Sequence, residues 1–273
     1  MARSLIIVSN DDGVHSPALR SLAEALWDLG DVLVVAPRWP QSSMSRAWPR
    51  QPGTGTISAS GPDRTGRPWF FGIVGSPAEA IANGITRLAP RRPDLCVSGI
   101  NAGTNLSVAL TQSGTVGVCL EAERFGIPGV AVSQELPPYG TDPDSELGDV
   151  QVAVGAMLRI CQLVLASGLP PGVIMANVNV PHGAHPGTDI VSTNLAAESF
   201  WEVTVPVGTD GTSGPCRLAH SEIDPSRYQP GTDVYELYVN RVITVTAMVR
   251  PQGVAWPELA QLGRNAGMVA QPG

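Results

Sequence analysis

The chain has 273 residues, with 24 acidic against 17 basic side chains and a net charge of -7 at neutral pH. Its 43% hydrophobic and 15% charged residues place it in the globular class, outside the highly charged chains that stay disordered. The acidic balance argues against a nucleic-acid polymer as partner, because such binding depends on clustered positive charge. Every basic side chain is arginine, so chemistry that requires a lysine is excluded as well.

The sequence predicts no membrane partner. No stretch reaches the ~18 uninterrupted apolar residues of a membrane helix. The first apolar run, Leu5 to Val8, is too short for a secretory signal and leads directly into Asn10-Asp11-Asp12, so we expect a cytoplasmic protein. The four cysteines lie far apart without a Cys-x-x-Cys pair, which indicates buried structural thiols rather than a metal or redox site.

The first two thirds of the chain alternate between strand and helix patterns. Leu5 to Ser9 is a continuous apolar run typical of a strand covered on both faces, and Ser16-Pro17 is typical of a helix start, opening a helix over Ala18 to Leu29. Val32 to Ala36 completes a strand, helix, strand unit. The sequence then predicts strands at 69–74, 94–98, 129–133 and 173–180, and helices at 76–87, 115–125 and 146–166. This alternation predicts an α/β fold with a doubly wound parallel sheet and helices on both faces.

The pattern changes after about Pro186. Short β-rich runs at 201–207 and 234–249 are separated by glycine, proline, serine and aspartate, which predicts hairpins outside the main sheet. A last short helix is expected to begin at Trp256-Pro257-Glu258. We therefore expect a sheet domain over residues 1–185, followed over residues 186–273 by a β-hairpin-rich extension and C-terminal helix that make oligomer contacts.

The turns that follow the strands are the places to look for chemistry, because ligands of open α/β sheets bind beyond the carboxyl ends of the strands. The first such turn is Ser9-Asn10-Asp11-Asp12-Gly13. Two adjacent carboxylates can converge in a turn, and a divalent cation there would offset their repulsion. The alternative for this turn alone is a helix-leading turn whose aspartates cap backbone amides.

Two later turns carry more short oxygen-bearing side chains. The loop after the second strand contains Ser42 and Ser43, and the segment from Gly99 to Asn105 leads on to Ser113-Gly114-Thr115 before a helix. Small residues at a helix start provide free backbone N–H groups that suit an anion. Oxygen ligands without sulfur or nitrogen favour Mg²⁺ or Mn²⁺ over Zn²⁺, and a metal beside an anion site indicates phosphoryl chemistry.

The order of these motifs resembles the SurE family, the survival-protein nucleotidases. The resemblance covers about residues 4 to 248 of this sequence. It rests on Asn10-Asp11-Asp12-Gly13, Val35-Ala36-Pro37 with Gln41-Ser42, Gly75-Ser76-Pro77-Ala78-Glu79, the segment from Pro93 to Asn105, Ser113-Gly114-Thr115-Val116, Gly126-Ile127-Pro128, Asn177-Val178-Asn179-Val180-Pro181 and Gly231-Thr232-Asp233. It implies that the first domain is a Rossmann-like, three-layer α/β/α catalytic domain and that the protein is a homodimer or homotetramer.

The resemblance also implies an activity, that of a metal-dependent 5'/3'-nucleotidase acting on nucleoside monophosphates. The family's metal ligands fall on Asp11, Asp12, Ser42 and Asn101, which would hold one Mg²⁺ or Mn²⁺ per subunit. Asn105 and Ser113-Gly114-Thr115 match the stretch that frames the phosphate, and Asn10 is a further candidate for substrate binding. We hypothesise in-line attack by a metal-activated water, with Asp11 and Asp12 catalytic and Asp12 the better candidate to move the proton.

Three departures from the family pattern border the expected pocket. Arg38-Trp39-Pro40 stands where the family usually has Asp-Arg-Asn, Ser43 replaces a usual glycine, and Gln112 replaces a common tyrosine. Arg38 is a candidate phosphate or carboxylate contact and Trp39 a candidate base-stacking surface, with neutral drift in a surface loop as the alternative. The departures leave two other functions open: a phosphatase for a specialised biosynthetic nucleotide intermediate, and a catalytically weak metal- and nucleotide-binding regulatory protein.

Overall fold

The computed structural model describes residues 3–49, 52–61, 69–137, 149–199, 201–204, 217–220 and 224–251. Their strands and helices, in chain order, are β1 (Ser4–Ser9), α1 (Pro17–Leu26), β2 (Gly30–Pro37), β3 (Ile57–Gly61), β4 (Phe70–Ile73), α2 (Pro77–Asn83), β5 (Leu95–Ala102), α3 (Gly114–Glu123), β6 (Gly129–Gln134), α4 (Gln151–Ser167), β7 (Val173–Val180), β8 (Ile190–Thr193), β9 (Trp201–Thr204), β10 (Arg217–His220), α5 (Asp233–Tyr238) and β11 (Ile243–Val249). A π-helical turn follows α2 at Gly84–Leu88, and a 3-10 turn at Val108–Gln112 precedes α3.

The strands form one large sheet and one small one. Within the described ranges, nine strands lie in the order β3-β4-β2-β1-β5-β6-β7-β11-β8, and β9 pairs with β10 in a separate two-stranded sheet. The run from β4 to β7 is parallel throughout, whereas β3 and β11 are antiparallel to β4 and β7. The predicted α/β fold with a mostly parallel sheet is confirmed.

Helices cover both faces of the large sheet. Ile6 and Val8 of β1 belong to the core that packs against α1 and α4, whereas Ile7 between them belongs to the core that packs against α2 and α3. Because both faces are buried, the strand is a continuous apolar run without polar alternation. No described helix is long and apolar enough to cross a membrane.

The order in which successive strands are added to the sheet reverses at β1. From β1 it runs through α1 to β2 and on to β4 at one side, and α2 then leads it to β5 on the other side of β1. The carboxyl ends of β1 and β5 therefore flank the topological switch point, where open α/β sheets bind their ligands. The turn after β1 carries Asp11 and Asp12, and the end of β5 carries Asn101.

Local signals predicted the starts of α1 and α2 correctly, whereas α4 begins at Gln151 rather than at residue 146. Ser16 caps α1 by accepting the N–H of Leu19, and Ser76 and Glu79 form a capping box at the start of α2. The ends were predicted less well: α1 stops at Leu26 rather than Leu29, and α2 gives way to the π-helical turn. Strand β3 was not predicted.

The prediction for residues 234–249 was right for the strand at 243–249 and wrong for the residues before it and for its placement. Residues 233–238 form the short helix α5, with Val234 and Leu237 buried, so their spacing follows a helix rather than a strand. Strand β11 lies inside the large sheet, antiparallel to β7 and parallel to β8, and not in a hairpin outside it. The helix expected from Trp256 lies outside the described residues, and the division near residue 185 stays a prediction.

The cysteine prediction is confirmed where the structure describes the chain. Cys96, Cys119 and Cys161 are buried free thiols. Burial raises the pKa of the Cys96 and Cys161 thiols above the usual range, which keeps them in the unreactive protonated form. Cys216 lies outside the described residues.

Candidate active site

Asp11 lies beneath the first turn of α3. It is 4% exposed, and its Oδ1 accepts a 2.6 Å hydrogen bond from the Thr115 hydroxyl. Gly114 is so close that a Cβ there would lie 2.7 Å from the Asp11 Cβ, so a larger residue would displace the carboxylate. Burial raises the pKa of the Asp11 carboxyl, and the hydrogen bond from Thr115 opposes this shift. No arginine of the described chain forms an ion pair with Asp11.

The loop after β2 is held against the aspartate turn by backbone contacts. The Gln41 N–H donates to the Asp11 carbonyl at 2.7 Å, and the Val14 N–H donates to the Pro37 carbonyl at 2.8 Å. Gly13 has a φ of +102°, and a Cβ there would lie 3.3 Å from the Trp39 backbone, so the turn requires glycine for conformation and for space. Ser42, which is exposed, directly follows the residue that contacts Asp11.

The same loop is tied to α3 at its far end. The Ser45 hydroxyl donates to the Thr111 carbonyl at 2.7 Å, and the Arg46 guanidinium donates to Glu121 at 2.8 Å. The Glu121 side chain is only 2% exposed and comes from the last turn of α3. A Cβ at Gly117 would lie 2.1 Å from the Ser45 carbonyl oxygen, so a glycine in the helix lets the loop approach. These contacts hold the Ser42 loop from both sides.

Asn101 reaches the same edge of the sheet from β5. Ser98, earlier in β5, pairs in register with Ser9 at the end of β1, so the last residues of β5 extend beside the aspartate turn. The Asn101 Nδ2 donates to the Gly103 carbonyl at 2.8 Å. With its amide nitrogen bound there, the Oδ1 oxygen points away from that carbonyl and can act as a ligand.

The structure therefore brings together the turns that carry Asp11, Asp12, Ser42 and Asn101. Their donors are hard oxygens, which suit Mg²⁺ or Mn²⁺, and a cation would compensate the buried Asp11 carboxylate. No group of three histidine, cysteine, aspartate or glutamate side chains is gathered as a metal site in the described ranges. The oxygen set fits a divalent cation, and as a ligand set it stays a prediction.

The predicted phosphate residues have different roles in the fold. The Ser113 hydroxyl caps α3 by accepting the Val116 N–H at 3.1 Å, and the Thr115 hydroxyl is bound to Asp11. Asn10 is fully buried; its Oδ1 accepts the Gly13 N–H at 3.1 Å, while its Nδ2 has no hydrogen-bond partner among the residues described. The Asn10 side-chain amide can therefore donate a hydrogen bond to a ligand beside the two aspartates.

The departures from the family pattern lie on the exposed rim of this site. Trp39 is 54% exposed, and the Arg38 guanidinium carbon lies 5.1 Å from the centre of a Trp39 ring. Ser43 has a φ of 61°, in the left-handed region that favours glycine, the residue usual there in the family. The backbone carbonyl of Gln112 accepts the Ser45 N–H at 3.2 Å, whatever its side chain.

Asn105 is held by two strands that the sequence analysis did not connect with it. Its Nδ2 donates to the Ser133 hydroxyl at 2.8 Å, and its N–H donates to the Asn179 Oδ1 at 2.8 Å. Its carbonyl accepts from the Nδ2 atoms of Asn177, at 2.7 Å, and Asn179, at 3.0 Å. Asn177 and Asn179 carried the family resemblance but no predicted role. The sequence signal that could have indicated their role was a pair of asparagines, two positions apart, in an otherwise apolar strand.

Comparisons with known proteins agree with the fold and the motifs. The family described as "Survival protein SurE" matches residues 6–202. A protein of Thermococcus gammatolerans named "5'-nucleotidase SurE" is 38% identical over 242 residues, 88% of each chain. The protein of the same name from Methanocella arvoryzae is 31% identical over 270 residues, 89% of this chain and 91% of that one.

A solved structure extends the likeness to the whole fold. The crystal structure of the SurE protein from Aquifex aeolicus has a TM-score of 0.72, at 23% identity, and covers 96% of this chain and 99% of that one. At this identity the likeness concerns the fold alone. Taken with the sequence relatives and the family match over most of the chain, it leads to one conclusion: the chain belongs to the SurE family.

Proposed function

We propose that this chain is a metal-dependent 5'-nucleotidase, a hydrolase that removes phosphate from nucleoside monophosphates. The observation that carries the proposal is the buried Asp11 carboxylate, which lies without a described basic partner beneath the start of α3. The Asp11 carboxylate needs a cation, and the start of α3 favours an anion. Both lie at the switch point of the sheet. The activity named for the relatives is the one that this combination serves.

Asp11, Asp12, Ser42 and Asn101 would hold one divalent cation, Mg²⁺ or Mn²⁺, per subunit. When bound, the ion supplies positive charge to the phosphoryl oxygens and lowers the pKa of the attacking water. Thr115 keeps the Asp11 carboxylate oriented through its hydroxyl. Asp12 is half-buried in the same turn and is our candidate for moving the proton.

The substrate phosphate would bind between α3 and the turn after β1. The backbone N–H groups of Gly114 and Thr115 stand at the positive end of the helix dipole and would stabilise charge on the phosphoryl oxygens. The Ser113 N–H already donates to the Leu110 carbonyl at 3.0 Å, so Ser113 would act by starting the helix. The buried Nδ2 of Asn10 is an additional donor. Asn105 would contact the phosphate from the β5 side.

Trp39 would contact the base of the nucleotide, and Arg38 would contact its phosphate or a carboxylate. Trp39 is more than half exposed, and the Arg38 guanidinium lies against its ring, so the indole is suited to stacking on a base. The regulatory protein is not favoured, because the departures leave all four oxygen donors in place. The phosphatase for a specialised nucleotide is not favoured, because the relatives are named 5'-nucleotidases. The 3'-nucleotidase activity, the cytoplasmic location, and a homodimer or homotetramer formed through residues 186–273 remain predictions.

Phosphate release from a panel of nucleoside monophosphates tests the proposal. We expect release in the presence of Mn²⁺ or Mg²⁺, none after treatment with EDTA, and recovery when the ion is restored. Binding of nucleotide without release would favour the regulatory protein, and release that survives EDTA would contradict the metal-dependent mechanism.

A further inference from the structure

Two buried asparagines interrupt the apolar strand β7. Asn177 and Asn179 are both fully buried, and their neighbours Val178 and Val180 belong to the apolar core on the other face of the sheet. Residues two apart in a strand share a face, and Met175, two residues earlier, packs in the core beneath α3. Both asparagines therefore lie on the α3 face. Burying an amide costs free energy unless it is hydrogen-bonded, so their bonds show what they do.

Their hydrogen bonds converge on one residue. Three of them reach the backbone of Asn105, one to its N–H and two to its carbonyl, at 2.7 to 3.0 Å. A fourth bond, from the Asn105 Nδ2 to Ser133, orients its side chain. Asn105 itself is half-buried, whereas the three side chains that hold it are fully buried. The Asn105 amide keeps a second N–H for another acceptor.

The arrangement leaves one group poorly bonded. The Asn177 Oδ1 is buried and has no hydrogen-bond partner in the described part of the chain. A leucine of similar size would avoid this cost and would suit the surrounding strand. Stability alone therefore does not explain an asparagine at this position.

We propose that Asn177 and Asn179 are positioning residues. They fix the backbone of Asn105 so that the second N–H of its side-chain amide contacts the phosphate of the substrate. This inference rests on the proposed nucleotidase function. It extends the functional site to β7, two strands beyond β5, and gives a role to residues that do not themselves reach the substrate.

The variant Asn177→Leu tests the role. We expect kcat/KM to fall by about tenfold, because one of the three hydrogen bonds to the Asn105 backbone is lost. Inorganic phosphate should also inhibit more weakly. The thermal midpoint should stay the same or rise, and the Mn²⁺ concentration for half-maximal activity should not change. Thr244→Val is the matched control, because it removes a buried hydroxyl that has no hydrogen-bond partner among the described residues, on the neighbouring strand opposite Asn179. The control should keep full activity.

Wild-type kinetics in Asn177→Leu would overturn the proposal. So would an activity loss that accompanies a lower thermal midpoint or that also appears in Thr244→Val, because either result indicates a structural role.

A double-mutant cycle with Asn105→Ala is the second test. If Asn177 acts through the Asn105 side chain, the double variant should be no less active than Asn105→Ala alone. Additive losses would contradict this. If the wild type releases no phosphate from any nucleotide, the proposed function fails, and calorimetric binding of inorganic phosphate to wild type and Asn177→Leu then decides the positioning role.

Discussion

Asp11 shows how single side chains define this site. Its carboxylate is buried, hydrogen-bonded to a hydroxyl and crowded by Gly114, yet it has no described ion pair. The nearby Glu121 is also buried, but it pairs with Arg46 and Arg124. The difference separates a carboxylate arranged for a cation from one that stabilises the fold.

Asp11→Asn should remove metal-dependent turnover while leaving the fold intact. The amide Oδ1 can still accept the Thr115 hydroxyl bond, but the neutral side chain is a poor cation ligand. We expect activity to fall by at least about 100-fold and Mn²⁺ affinity, measured by calorimetry, to fall with it. Asp28→Asn, at an exposed aspartate after α1, should change neither. Undiminished activity in Asp11→Asn would refute the metal assignment.

Trp39→Ala should affect nucleotides more than simpler esters. Base stacking contributes about 1–3 kcal/mol, so we expect KM for purine nucleoside monophosphates to rise by about tenfold, with no change for ribose 5-phosphate. Trp48→Ala is the control, because Trp48 is similarly exposed, at 50%, in the same loop. Equal effects of the two alanine variants would contradict a stacking role.

A second hypothesis is that Arg38 and Trp39 narrow the substrate range. Replacing them together by Asp and Arg, the usual family residues, should then broaden the range of nucleotides hydrolysed, and an unchanged range would contradict this hypothesis.

At the scale of elements, the site depends on how the loop after β2 docks on α3. The loop has little regular structure, and its position follows from the backbone contact of Gln41 with Asp11, the close approach at Gly117 and the ion pair of Arg46. Loops carry functional residues well when a rigid element holds them. Here α3 both carries Thr115 and anchors the segment that brings Ser42.

Arg46→Ala should therefore weaken metal binding more than its effect on stability explains. Arg46 and Arg124 each pair with the buried Glu121, so either alanine variant leaves Glu121 one arginine and should cost a similar free energy of unfolding, about 1–3 kcal/mol. Only Arg46 belongs to the Ser42 loop, so only Arg46→Ala should require more Mn²⁺ for half-maximal activity. If Arg124→Ala raised the Mn²⁺ requirement equally, the loop anchor would not be the cause.

At the scale of the whole molecule, residues after position 185 contact the loop that follows β5. The buried Asp233 of α5 accepts the N–H of Ser107 at 2.8 Å and of Ala196 at 2.9 Å. The Tyr238 hydroxyl lies 3.1 Å from the Thr104 hydroxyl, and burial raises the pKa of Tyr238 to about 12. Residues after position 185 thus hold the loop that follows β5 on both sides of Asn105.

A cation bound by residues from several turns should stabilise the whole fold. By mass action, an ion at 100 times its dissociation constant raises the free energy of unfolding by about 2.7 kcal/mol. We expect Mn²⁺ to raise the thermal midpoint of the wild type and EDTA to reverse the effect. Asp11→Asn should show no such rise; an equal rise in that variant would indicate that the ion binds elsewhere.

Much of this protein follows from local sequence. Continuous apolar runs such as Leu5 to Ser9 specify strands buried on both faces, and Ser16-Pro17 and Ser76-Pro77 specify helix starts, because each signal acts over a few neighbouring residues. The order of polar turns after the strands pointed to the family and to the four oxygen donors. Strand β3 and helix α5 were not predicted, because the apolar residues of such short segments fit the helical and the strand period equally well.

Only the tertiary structure decided which distant residues meet. The sequence placed Asn177 and Asn179 in a strand, but their bonds to Asn105 span 72 and 74 residues and depend on the order and register of β5, β6 and β7. The position of β11 between β7 and β8 likewise depends on pairing between segments that are far apart in the sequence. Local propensity describes each element, whereas pairing across the sheet is set by burial of the whole core, which no short segment encodes.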